Sequence, residues 1–287
     1  MDLVNRFKNE DGPPPPTASM ERSVAQMKHH ETTIERLVAR VSTDDEVLAV
    51  IVSGSVAREQ ETAESDVDLY LVVTEPAWDR AMIAERIMYV DREGVDYPHG
   101  YLDIKLATLG YLEEAADHGD DPVRDSLVHS RVAFTRVPEL VQLLARSGKR
   151  SAAEWQSRGV SSLAQARLHA GYFVPQGVLR HDPLLLHNAA VHAVVAADRA
   201  LLALNRQLFS GPKYLRSAVE ALPLRPVGWT ELTDRLLCEP SAEAANAVLA
   251  ALEGIHDWAV SDELALSRFV LDNELAWRTR VPVPEYR

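Results

Sequence analysis

Ile51-Val-Ser-Gly-Ser-Val-Ala-Arg-Glu-Gln-Glu-Thr-Ala-Glu-Ser-Asp-Val-Asp-Leu-Tyr-Leu-Val-Val73 places a glycine-serine turn between two apolar runs, and the second run opens with two carboxylates. The first run, residues 47–52, is short, continuous and apolar, the pattern of a buried strand that stops at the Ser-Gly-Ser turn. The second predicts a strand over residues 66–73. Side chains alternate faces along a strand, so Asp66 and Asp68 point the same way while Val67, Leu69 and Leu71 enter the core. Carboxylates standing side by side repel, and a divalent cation between them removes the conflict. A third carboxylate comes from residues 101–107, where Leu102, Ile104 and Leu106 alternate with Asp103 and Lys105. Asp103 shares the polar face if that strand lies beside the Asp66–Asp68 strand.

Oxygen-only ligands together with a triphosphate point to Mg²⁺, which takes one or two carboxylates, phosphate oxygens and water. Two such ions, roughly 3.5–4 Å apart, clamp the attacking and leaving oxygens of an in-line displacement. Asp103 is then a metal ligand or the general base that takes an acceptor hydroxyl's proton. Gly54 lets backbone approach a phosphate without a Cβ in the way, and Ser55, at the start of a helix, offers its hydroxyl and nearby N–H groups. Arg58, one turn on, neutralises charge on a leaving pyrophosphate. A Gly-Ser turn or a Ser-Asp-x-Asp turn is common by itself. Joined at a ten-residue gap inside strands, with a later strand Asp, they form a specific pattern.

Further strands are expected at 86–90 and 132–135, beside that at 101–107, with helical pieces after Pro76, from Thr108 and from Pro138. An amphipathic helix over 23–41 precedes the first strand, with Val24, Met27, Ile34, Leu37, Val38 and Val41 mostly at three- and four-residue steps. Pro13 to Pro16 mark a disordered proline-rich tail over residues 1–18. Past residue 150 strand signals are few. Helices are expected near 151–172, 183–208, 213–221, 229–238, 241–260 and 262–278, the first opened by a Ser151–Glu154 capping box. The fold class is α+β: a mixed sheet flanked by helices over residues 19–148, then an all-α bundle over 149–287, with the cleft between them as the default ligand site.

The residues quoted resemble the nucleotidyltransferase superfamily that includes DNA polymerase β and the kanamycin-type aminoglycoside nucleotidyltransferases. Gly54-Ser55, Arg58, Ser65-Asp66-Val67-Asp68 and Asp103 carry the resemblance, over roughly residues 47–107. Gly-Ser-x-x-Arg is more similar to the antibiotic-modifying and small bacterial members than to the polymerases. The resemblance implies two metal-binding carboxylates, a third acidic residue, and transfer of a nucleoside monophosphate with release of pyrophosphate. AMP from ATP is the commonest choice in the family. Beyond residue 150 the likeness, to the helical partner domain of small bacterial members, is looser and names no acceptor.

At 287 residues and 46% hydrophobic content the chain can bury a sizeable core, in one large or two modest domains. Its net charge of −13 argues against a protein that tracks along a nucleic acid, because phosphate contacts need clustered Lys and Arg. A cationic or neutral small acceptor with a hydroxyl, aminoglycoside-like or a biosynthetic intermediate, fits better. A protein side chain or tRNA end as acceptor, or a non-catalytic antitoxin-like nucleotide-binding module, are the alternatives, and a homodimer is compatible with the family. The charged N-terminus lacks a secretory signal and no apolar run spans a bilayer, so a cytoplasmic protein without membrane partners is expected. Cys238 reads as a small apolar filler in a helix.

In the second domain Asn188, His192 and Arg199 fall near one face of the 183–208 helix, and Lys213 follows a Gly-Pro turn. They are candidates to hold the acceptor, or phosphate in the case of Lys213. Satisfied polar groups in a helix interface are the other reading. His187 and His192 point in different directions and His29 and His30 are adjacent, so neither pair suggests zinc. Trp155, Trp229, Trp258 and Trp277 are expected as helical core residues.

Overall fold

In the computed structural model, residues 18–284 are described, with side chains from Lys28 onward. Of the tail expected over residues 1–18, all but Ala18 lies outside the described residues. The chain forms two compact units: one runs through Leu109 and takes in His129–Val141, and the other comprises Gly110–Val128 and Gln142–Arg287.

The first unit is built on a five-stranded mixed sheet. In chain order it contains α1 (Ala18–Val41), β1 (Val47–Val52), α2 (Gly54–Ala57), β2 (Val67–Val73), α3 (Glu75–Ile83), β3 (Met88–Asp91), β4 (Leu102–Ala107) and, after an excursion into the other unit, β5 (Arg131–Thr135). The strand order is β3-β4-β2-β1-β5. β1 lies antiparallel to β2 and β5, β3 is antiparallel to β4, and β2 and β4 are parallel. Parallel neighbours need a crossover, and α3 and β3 supply its chain. The core joins Val50, Val52, Val67, Leu69 and Ile104 of the sheet to Ile34 and Leu37 of α1. Each such side chain contributes about 1.5–3 kcal/mol on burial, enough for twelve of them to anchor strands that end in unfavourable like charges.

The second unit is helical. It holds α4 (Leu109–His118, apart from its first residue), α5 (Asp121–Val128), α7 (Ala152–Leu168), α8 (Val174–Arg180), α9 (Pro183–Leu204), α10 (Pro212–Glu220), α11 (Trp229–Cys238), α12 (Ala242–Gly254), α13 (Asp262–Phe269) and α14 (Ala276–Thr279); α6 (Leu140–Arg146) enters it from the first unit. Ser151 caps α7 by accepting from the Glu154 N–H at 3.2 Å, and Glu154 accepts from the Ser151 N–H at 2.7 Å. Ala189, Ala193, Ala197 and Ala200 of α9 are buried with Leu163 and Ala166 of α7, small side chains that let the two helices approach closely.

The architecture is the α+β arrangement expected, with differences in detail. Gly110–Val128 groups with the helical unit, where buried Arg124 donates to the carbonyls of Ser147 (2.8 Å) and Lys149 (2.7 Å). The helices expected over 151–172 and 262–278 each contain a π-helical turn, His169–Phe173 and Val270–Glu274. α12 stops at Gly254, so Trp258 is buried from a loop and not from a helix. Trp277 is 77% exposed and Cys238, at the last position of α11, is exposed, so neither is a core residue. Among the described residues no helix is long and apolar enough to cross a membrane.

Candidate functional site

β2 and β4 pair in a register that sets Asp68 directly opposite Asp103. Both side chains therefore leave the sheet on the same face, and Asp66, one residue before β2, falls on that face by alternation. One carboxylate oxygen from each of Asp66, Asp68 and Asp103 lies within 4.8 Å of the other two, all three groups half-buried. Further along this face Tyr70 and Val72 are buried, so the carboxylates stand where the cover of the sheet gives out.

The turn after β1 is fastened to this spot. The Ser53 N–H donates to the Asp68 carbonyl at 2.9 Å, which lays Gly54 against the Asp68 side chain. Gly54 has φ +65°, and a Cβ there would sit 2.7 Å from Asp68 Cγ and closer still to Oδ2. Both the backbone conformation and the space demand glycine. Ser55 and Arg58 follow on α2, a single turn closed by Arg58 and Gln60 N–H groups donating to the Ser55 carbonyl at 3.2 and 2.9 Å.

Side chains that the sequence pattern left out hold the loop before Asp66. His30 Nε2 and the Tyr97 hydroxyl both donate to the Ser65 carbonyl at 3.0 Å. The Ser65 hydroxyl accepts from the Thr62 N–H at 2.9 Å, so it closes its own turn. Tyr97 packs on His29 with ring centres 4.4 Å apart, and Gly100 is needed because a Cβ there would overlap the Tyr97 ring. Burial, followed by the charges of Asp66 and Asp96, pushes the Tyr97 phenol up to about 12, so it remains a donor. The Tyr101 phenol hydrogen-bonds Asp66, which raises its pKa from the ordinary value, with the Asp66 charge adding to the effect. Burial lowers the His30 pKa and leaves a neutral ring in the wall of the site. The signals in the chain were faint: a His-His pair on an amphipathic helix, and Tyr97 and Tyr101 flanking Gly100 ahead of a strand.

The donor set suits a hard divalent cation. All three groups are carboxylates, and Asp103 Oδ1 is buried without a hydrogen-bond partner. These three residues can hold a metal.

The remaining candidates lie in the helical unit. His192 and Arg199 line one cavity together with His169, while Asn188, one turn before His192, is exposed. Lys213 is exposed on α10, its ammonium 5.3 Å from the centre of the Tyr214 ring.

The fold and site define an α+β protein with a carboxylate triad able to bind a metal on its sheet. No family model matches the chain, and no curated protein matches it. Among solved structures it is similar to the crystal structure of a nucleotidyltransferase-like protein from Exiguobacterium sibiricum 255-15, at 12% identity, over 87% of this chain and 79% of that one, with a TM-score of 0.49. The chemistry of the site rests on its own residues.

Proposed function

We propose that this chain is a Mg²⁺-dependent nucleotidyltransferase that moves a nucleoside monophosphate, AMP in the first instance, from a nucleoside triphosphate to a hydroxyl of a small-molecule acceptor. The acceptor class is an aminoglycoside-like compound or a biosynthetic intermediate, and pyrophosphate is released. The observation that carries this reading is the convergence of Asp66, Asp68 and Asp103 within 4.8 Å. Three carboxylates so close repel one another unless a cation stands between them. A non-catalytic nucleotide-binding module is the better reading only for a chain with one of the three displaced.

Asp66, Asp68 and Asp103 would hold Mg²⁺, which supplies charge neutralisation for the triphosphate and its departing pyrophosphate. In the reaction the acceptor oxygen bonds to the α-phosphorus, the bond to pyrophosphate breaks, and the hydroxyl proton leaves. In this reading Asp103, whose Oδ1 has no hydrogen-bond partner, takes that proton or serves as a metal ligand alone. Gly54 keeps the space beside Asp68 clear, while Ser55 and Arg58 on the same turn offer a hydroxyl and a guanidinium to phosphate oxygens. Tyr101 fixes Asp66, and His30 and Tyr97 fix the backbone that delivers it.

The test is incubation with each α-labelled nucleoside triphosphate and Mg²⁺ against a panel of hydroxyl-bearing acceptors, comparing wild type with Asp68→Asn. Pyrophosphate release should fall by at least about 100-fold, beyond the ~10–100-fold typical of losing an outer-sphere partner. Turnover that is indifferent to Asp68→Asn would show that the carboxylates serve another purpose.

A further inference from the structure

The helical unit contains a polar cavity of about 220 Å³ whose wall carries Arg150, Arg158, Arg199 and Arg268. In a chain of net charge −13 such a concentration of guanidinium groups runs against the overall balance. Arg150 and Arg158, with side chains only 5% and 20% exposed, share a single carboxylate: Asp121 lies 2.6 Å from one and 3.1 Å from the other. Glu154 comes no nearer than 4.0 Å to Arg150 and is engaged by the Ser151 cap, while Asp272 is held by Arg268 and Ser161. Arg150 Nε is buried without a partner. Burial, reinforced by the charges of Arg150, Arg199 and Arg124, pushes the Arg158 guanidinium down to about 10 despite Asp121. Surplus positive charge out of water is costly to the fold unless something else neutralises it.

Arg199 and Ser162 also line a second cavity of about 240 Å³, whose far wall is neutral: His169, His192, Gln165 and Asn273. The His169 and His192 rings stack 4.9 Å apart at 18°, and burial holds His169 down to about 4, uncharged at neutral pH. His169 Nδ1 and Gln165 Nε2 are buried without partners, an acceptor or donor and a donor awaiting a match. Both π-helical turns border this space, through His169 and Asn273. Single π turns within helices are frequent where helices shape a functional site.

We propose that the helical unit binds a phosphorylated small molecule, its phosphate on Arg150, Arg158 and Arg199 and its uncharged polar body against Gln165, His169 and His192. A dianion with several acceptor oxygens matches the planar forks of Arg150 and Arg158, which share the one carboxylate of Asp121. A polycation is repelled from the same place. Binding here requires none of the carboxylates of the sheet.

The full chain, in buffer free of divalent ions and at constant ionic strength, is titrated calorimetrically with inorganic phosphate, ribose 5-phosphate, ribose and citrate. Both phosphates should bind, the ester about tenfold tighter or better, and ribose should not. Arg158→Gln should weaken both phosphates at least about tenfold while its melting temperature stays level or rises, because the change removes repulsion. Asp68→Asn should bind them as wild type does, which separates this cavity from the triad. No heat from either phosphate at tens of millimolar, loss of binding in Asp68→Asn, or unchanged binding in Arg158→Gln would each overturn the proposal. An ester no tighter than free phosphate would remove the role of the histidine wall, and citrate binding ahead of both would assign the cavity to a polycarboxylate. A lowered melting temperature in Arg158→Gln with phosphate binding intact would make the arginines structural.

Discussion

Replacing Gly54 by alanine should damage the metal site more than it damages the fold. The backbone there has φ +65°, a left-handed conformation that costs a residue with a Cβ about 1–2 kcal/mol. That alone lowers the melting temperature by several degrees, at ~2–4 °C per kcal/mol for a domain of this size class. The new methyl group would also stand 2.7 Å from Asp68 Cγ. Carbon atoms settle at ~3.5–4.0 Å, so one side must retreat by about 1 Å. If Asp68 turns away, it leaves its position opposite Asp103; if the turn retreats, the Ser53 bond to the Asp68 carbonyl is strained. In either case the three carboxylates no longer converge, and affinity for Mn²⁺, read by electron paramagnetic resonance, should fall at least about tenfold. The double variant Gly54→Ala with Asp68→Ala separates the two costs, because the clash vanishes with the carboxylate while the backbone strain remains. Its stability loss should be less than the sum of the single losses. A Gly54→Ala protein that keeps wild-type Mn²⁺ affinity, or a double variant whose losses simply add, would refute the claim that Gly54 is there to admit Asp68.

Two further outcomes concern the helical unit. Asp198 is buried, accepts from Trp229 Nε1 at 2.7 Å, and burial pushes its carboxyl up to about 7 from 3.8. The folded state thus keeps a proton that the unfolded chain has lost. The stability this brings is complete below about pH 3.8 and disappears as pH rises to about 7, a change on the order of 4 kcal/mol at ~1.4 kcal/mol per unit. Asp198→Asn, which still accepts from Trp229, should melt higher than wild type at pH 8 and close to it at pH 4; a lower melting point at pH 8 contradicts the assignment. Arg124, 2% exposed, donates to three carbonyls, those of Ser147, Lys149 and Asp117. Arg124→Met fills the volume but leaves those acceptors unmatched, so calorimetry should show a loss of about 2–4 kcal/mol, and a change within about 0.5 kcal/mol would mean water replaces the guanidinium freely.

The strand β1, the turn at Gly54 and the alternation that puts Asp66 and Asp68 on one face were readable in the chain, because strand alternation and glycine's backbone freedom are local properties. The pairing of Asp68 with Asp103 was a condition, not a reading. It depends on the register of two parallel strands with a helix and another strand between them in sequence. His30 and Tyr97 reach Ser65 from 35 and 32 residues away, and no periodicity marks such meetings. The π turns were hidden for a related reason, since apolar spacing looks nearly the same whether one helical turn is widened or not. Trp277 and Cys238 sit in helices as the pattern required, yet face outward, because helix formation and burial answer to different forces. By itself, then, the sequence determined most element types, the α+β order and the three carboxylates able to hold a metal. Only the tertiary structure decided which of them meet, because strand register and helix facing are settled by the packing of the whole core, and that packing sums contacts far apart in the chain.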